Sequence, residues 1–149
     1  MTMHKKKINI VSIQMVKEKV MWYSERKVSS PENAAKIMRE FVGPSDREVF
    51  VLLSLNTKNE PTHIEKVSVG SLNASIIHPR EVFKSAILSN AANIILGHNH
   101  PSGHPQPSYE DIEATKRLYE VGKLIGIEVL DHIIFTDDSF YSLKESGHL

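Results

Sequence analysis

Apolar and polar positions along the chain change their period several times, and each change marks an element. In "INIVSIQMV", residues 8 to 16, Ile8, Ile10 and Ile13 stand among polar neighbours in rough two-residue alternation, which predicts a half-buried strand with room to continue through Val20 and Trp22. Ser30, Pro31 and Glu32 read as N-cap, first helical residue and first-turn acid, and Ala34, Ile37, Met38, Phe41 and Val42 then recur at helical spacing until Gly43 and Pro44 stop them. "EVFVLLSL", residues 48 to 55, is almost continuously apolar, as a central strand covered on both faces would be. A turn at "NTKNEP" leads to a second strand over His63 to Val69, ending at Gly70.

From Pro79, Val82, Phe83, Ala86 and Ile87 share one helical face. "NIILG", residues 93 to 97, is short, apolar and bounded by turn signals, so a buried strand is expected there. Ile112, Thr115, Leu118, Tyr119, Gly122 and Ile125 mark a helix from about 108 to 125, and "IEVLDHIIF" and "FYSLK" form two closing strands around the Asp137–Asp138 turn. Helices and strands interleave, which predicts α/β architecture in three layers, a mixed sheet with helices on its faces.

The 149 residues fit one compact unit, with residues 1–29 as an N-terminal strand or extension and 30–149 as the domain. Eighteen basic and eighteen acidic side chains cancel, unlike the basic excess of a typical nucleic-acid-binding domain. The one dense basic run, Lys5 to Lys7 beside His4, reads as a solvated tail. There is no cysteine, so disulfides, thiolate metal sites and cysteine nucleophiles are excluded, and any metal must sit on nitrogen and oxygen. With no signal-peptide stretch and no apolar run long enough to span a bilayer, a cytoplasmic protein without membrane contact is expected.

Chemistry concentrates in "GHNHPSGHPQPSYED", residues 97 to 111. His98 and His100 follow a strand directly, and residues two apart in extended backbone point to the same side, so both imidazoles can share one ion. Asp111, in the first turn of the next helix, is the third candidate, and three protein ligands leave the open position of a catalytic zinc site. Ser108-x-x-Asp111 is also a capping-box pattern, which explains both residues without any chemistry, and capping and coordination are compatible.

Taken jointly, His98, His100, Pro101, Ser108 and Asp111 resemble the JAMM motif of the MPN metalloprotease domain, and "HNHPSG" followed by "PS" and Asp111 looks like its RadC branch. "HPREVFKSAI", the helix after 111 and "LDHIIF" extend the similarity over about residues 30 to 147. The resemblance implies a JAMM/MPN (cytidine-deaminase-like) three-layer fold and a Zn2+-dependent hydrolase. His98, His100 and Asp111 would be the ligands, and Ser108 would help to stabilise the oxyanion. Two features depart from it. Full-length RadC proteins carry an N-terminal helix-hairpin-helix domain, of which residues 1–29 hold no glycine-bearing hairpin, so weak contact with nucleic acid is expected. His104 replaces the family's usual small acidic residue, either as a further nitrogen near the ion or as an exposed loop histidine.

A metal-activated water needs a carboxylate near the ion but not on it. Glu48, just before the apolar strand, resembles the JAMM glutamate in its placing, whereas Glu81 is already explained as a first-turn helix acid. Asp131 and His132 precede an apolar run, where they either orient a ligand histidine or cap a strand. The function expected is therefore zinc-dependent peptidase or isopeptidase chemistry on a peptide or protein substrate. The alternative is a DNA-repair-associated RadC-like protein with a structural or vestigial metal. Zinc nucleobase deaminases need cysteines that this chain lacks.

Overall fold

The computed structural model describes residues 3–70 and 77–149. Helix α1 (Pro31–Val42) starts where the Ser30 side chain accepts from the Asn33 backbone and stops at Gly43, whose φ of 65° suits a residue without Cβ. It is followed by strands β1 (Glu48–Leu55) and β2 (Pro61–Gly70), helix α2 (Pro79–Leu88), strand β3 (Asn93–Asn99), helix α3 (Tyr109–Ile125) and strands β4 (Glu128–Phe135) and β5 (Phe140–Ser142). Among the described residues the five strands form one mixed sheet in the order β2-β1-β3-β4-β5, parallel only between β3 and β4. α3 makes the connection between that parallel pair, as a crossover requires.

The alternation of β1 divides the core. Val51, Leu53 and Leu55 pack with Ala34, Ala35 and Met38 of α1 on one face, while Phe50 and Leu52 pack with Val82, Phe83 and Ala86 of α2 and Leu118 of α3 on the other. Apolar burial on both sides is why β1 reads as an unbroken hydrophobic run. The layers are thus helix, sheet and helices, as the interleaved periods predict.

The N-terminal segment differs from its expected strand. Residues 3–20 form neither helix nor strand and are exposed throughout, Ile8 at 90% and Ile10 at 101%. Alternation shows which side chains a strand would present, but a strand exists only where a ladder partner meets it, and among the described residues this segment pairs with nothing. Met21 and Tyr23 are its first residues to pack, against the α1 side of the core.

Candidate metal centre

Three elements converge at one end of the sheet. On β3, Gly97 faces α1 so closely that a Cβ would collide with the Met38 sulfur, so its neighbour His98 points to the opposite face. Just beyond the strand the His100 backbone N–H donates to the Phe135 carbonyl at 2.9 Å, which continues the pairing and keeps His100 on the side of His98. Asp111 is fixed by the capping box of α3: its amide donates to Ser108 Oγ at 3.0 Å and its Oδ2 accepts from the Ser108 amide at 2.9 Å.

His98 Nε2 and His100 Nε2 stand 3.0 Å apart, with Asp111 Oδ1 3.5 Å from the first and Oδ2 3.4 Å from the second. Ligand atoms about 2.0–2.1 Å from a tetrahedral zinc ion lie about 3.3 Å from one another, so the donor set has the right span. Hydrogen bonds also supply the right lone pairs. His100 Nδ1 donates to the His104 carbonyl at 2.8 Å, which leaves Nε2 unprotonated in the neutral ring. Thr115 Oγ1 donates to the Asp111 carbonyl and must therefore accept from His132 Nδ1, both at 2.6 Å. His132 Nε2 is then an acceptor, and His98 Nδ1 donates to it at 2.7 Å, freeing His98 Nε2. Two imidazole lone pairs thus face each other beside a carboxylate, an arrangement that only a shared cation makes favourable. The residues present fit a divalent metal ion, and His98, His100 and Asp111 could hold it.

The surrounding charges agree with this arrangement. Burial would raise the Asp111 carboxyl, but where a proton on Nε2 takes the place of the shared cation, hydrogen bonds from His100 and His98 outweigh it and hold the group far below the ordinary carboxylate range. His100 loses basicity to burial and regains more from Asp111, the His104 carbonyl and Glu48. Burial lowers His132 well below the usual histidine value, so it stays neutral, as its paired donor and acceptor roles require.

Glu48 arrives by register. Antiparallel pairing sets Phe50 opposite His98, so Glu48, two residues back, falls opposite His100, with Oε1 3.8 Å from His100 Nε2. Burial raises the Glu48 carboxyl, against the pull of His98 and His100. Its backbone is clamped by Asn99, whose buried side chain accepts from the Val49 amide at 2.7 Å and donates to the Arg47 carbonyl at 2.9 Å. Phe50 stacks on His98 and meets the edge of His132, making a dry wall. Glu48, the two histidines, Ser108 and Asp111 all line one open cleft of about 780 Å³.

The remaining candidates stand elsewhere. Glu81 lies on the exposed face of α2, paired with Lys84 at 3.0 Å, and does not line the cleft. His104 contributes its backbone carbonyl; its exposed imidazole is not among the cleft residues. Of the pair at 131 and 132, His132 touches His98, whereas Asp131 points away and accepts from Ser142, Lys144 and His132 backbone or hydroxyl donors. Two contributors escaped the sequence reading, Thr115 and Asn99. Thr115 could have been found as a hydroxyl on the buried stripe one turn after Asp111, and Asn99 as an amide alternating with two inward histidines.

Comparison with known proteins agrees with this architecture. A family model described as "RadC-like JAB domain" matches residues 28–148. UPF0758 proteins of Bacillus cereus, Bacillus mycoides and Bacillus anthracis are 59%, 58% and 58% identical to this chain over 122 residues. The match covers 82% of this chain and 54% of each relative, so the chain spans about half the length of the curated relatives it matches. Among the described residues no helix is long and apolar enough to cross a membrane. The chain therefore belongs to the RadC family, through a RadC-like JAB domain that fills residues 28–148.

Proposed function

We propose that this chain is a zinc-dependent hydrolase of amide bonds, a peptidase or isopeptidase. The observation that carries the reading is the convergence of two Nε2 lone pairs and the Asp111 carboxylate, with a second carboxylate, Glu48, beside them but outside the triangle. His98, His100 and Asp111 would hold a zinc ion there, which would supply Lewis acidity and make nearby water more acidic. Glu48 accepts the proton of the attacking water and delivers it to the leaving amine. Its raised basicity and its position next to His100 suit both transfers. Ser108 Oγ accepts from the Asp111 amide, which leaves its hydrogen free to donate to the oxygen of the carbonyl under attack. Phe50 keeps bulk water from the histidines, and the open cleft admits an extended polypeptide.

The balance of eighteen basic and eighteen acidic side chains favours a peptide over a phosphate backbone as the bound polymer. The test is hydrolysis of linear and lysine-branched peptide libraries by metal-loaded protein, with elemental analysis in parallel. Cleavage that disappears in Glu48→Gln while zinc is retained is expected. Zinc-loaded protein that cleaves neither library, yet binds duplex DNA tightly at physiological salt, would replace this reading with the DNA-associated one.

A further inference from the structure

The exposed segment before residue 21 is the feature that the metal centre leaves unexplained. Ile8, Ile10, Val11, Ile13 and Val16 stand between 74% and 101% exposed, an unusual concentration of uncovered apolar side chains on one short stretch. In extended backbone Val11, Ile13 and Met15 would fall on one side and Ile8, Ile10 and Val16 on the other. A strand so composed is apolar on both faces.

The sheet has one long free edge that would suit it. Among the described residues β2 pairs only with β1, and its outer side carries no ladder; the opposite edge strand, β5, is three residues long. Both core layers reach β2, since Ile64 packs on the α1 side and Val67 on the α2 and α3 side. An added strand with apolar residues on both faces would extend both layers at once. Lengths agree, as nine residues at about 3.3 Å each run nearly the length of the ten-residue β2.

Charge agrees too. Residues 3–22 hold five lysines and one glutamate, which leaves thirteen basic against seventeen acidic side chains for the rest of a chain that has eighteen of each. The segment is thus a cation and the body an anion. It is rooted beside the start of β2, where the Val28 amide donates to the Asn59 carbonyl at 2.9 Å and Arg26 pairs with Glu60 at 3.3 Å. From there it leaves its own sheet rather than lying on it. We propose that residues 8–16 are an exchanged arm that adds to the outer edge of β2 in a second copy of this chain, giving a two-fold dimer with both arms crossed. Reciprocal exchange of an identical element closes the assembly and covers both free edges.

The cysteine-free chain makes the test direct. Ser12 and Lys66 lie near the centres of arm and strand, so either strand direction brings them close. Separately purified full-length Ser12→Cys and Lys66→Cys proteins, mixed and treated with a short thiol-to-thiol linker, should give a crosslinked heterodimer. The unmodified chain should sediment as a dimer whose dissociation constant rises with salt. Ile10→Asp with Ile13→Asp should weaken that dimer by about tenfold or more while circular dichroism and zinc content stay unchanged. A monomer across the micromolar range overturns the proposal. So does a dimer that ignores the arm substitutions, or a linkage formed only within single chains of the doubly substituted Ser12→Cys/Lys66→Cys protein.

Discussion

His132 Nε2 lies 2.7 Å from His98 Nδ1, and the other nitrogen of His132 lies 2.6 Å from Thr115 Oγ1, which bonds the carbonyl of Asp111. A buried, neutral histidine thus joins two of the three candidate ligands and fixes the tautomer of one of them. His132→Leu removes the acceptor at little change in volume, and zinc affinity measured by chelator competition should fall about 10–100-fold. His132→Gln, which can still accept from His98, should recover part of the loss. Equal affinity in the leucine variant and the unmodified protein would show that the ring orients nothing.

Zinc should also be a stabilising ligand. Because His98 and His100 come from β3 and the residue just past it and Asp111 from α3, an ion between them joins elements that separate on unfolding. Saturating metal at a hundred times its dissociation constant adds about 2.7 kcal/mol to stability, so stripping it with a chelator should lower Tm by several degrees. His98→Ala and Asp111→Ala should retain little zinc and show no such shift. Wild-type zinc content in both variants would remove the ligand assignment.

The legibility of this protein divides by range of interaction. Elements set by local periodicity and punctuation, such as α1 between Ser30 and Gly43 or β1 over Glu48–Leu55, have the bounds that the sequence predicts. The His98, His100 and Asp111 cluster is legible because two of its members stand at the end of one strand and just past it, and the third on the next helix. What depends on partners distant in sequence is not. The alternation of residues 8–16 gives no sign that none of the described strands pairs with it. Thr115 looked like a core helix residue until β4 brought His132 against it, and Asn99 acquires a role only through the register between β1 and β3.

Register places the two candidate glutamates differently. Glu48 stands opposite His100 because β1 and β3 pair with Phe50 against His98, whereas Glu81 faces solvent with Lys84. Glu48→Gln should leave zinc bound and reduce peptide hydrolysis about 100-fold or more. Glu81→Gln should keep nearly full activity and lose at most a few tenths of a kcal/mol at the helix end. Asn99→Ala, which releases the Arg47 and Val49 backbone, should lower kcat with zinc retained and a smaller loss than the glutamine variant. The opposite order of the two glutamate variants, both fully loaded, would transfer the base to Glu81.

Asp131 sets a pH dependence of stability separate from the cleft. Asp131 is 7% exposed, and burial raises its pKa above the ordinary value even though Ser142, Lys144 and the His132 amide all donate to its carboxylate. Between the ordinary carboxylate pKa, about 4, and the raised one, the folded state binds more proton than the unfolded state, so this group makes stability fall as pH rises through that window. The penalty is complete above the raised pKa. Asp131→Asn keeps an acceptor for the two amides and removes the charge, so its urea-unfolding free energy should lack this part of the decline, and the difference between the two proteins should grow with pH across the window. Asp131→Ala instead leaves the Ser142 hydroxyl and two amides without their partner, at a cost of about 1–3 kcal/mol for each group that stays buried and unpaired. Parallel pH profiles for the asparagine variant and the unmodified protein would mean that Asp131 titrates alike in the folded and unfolded chain.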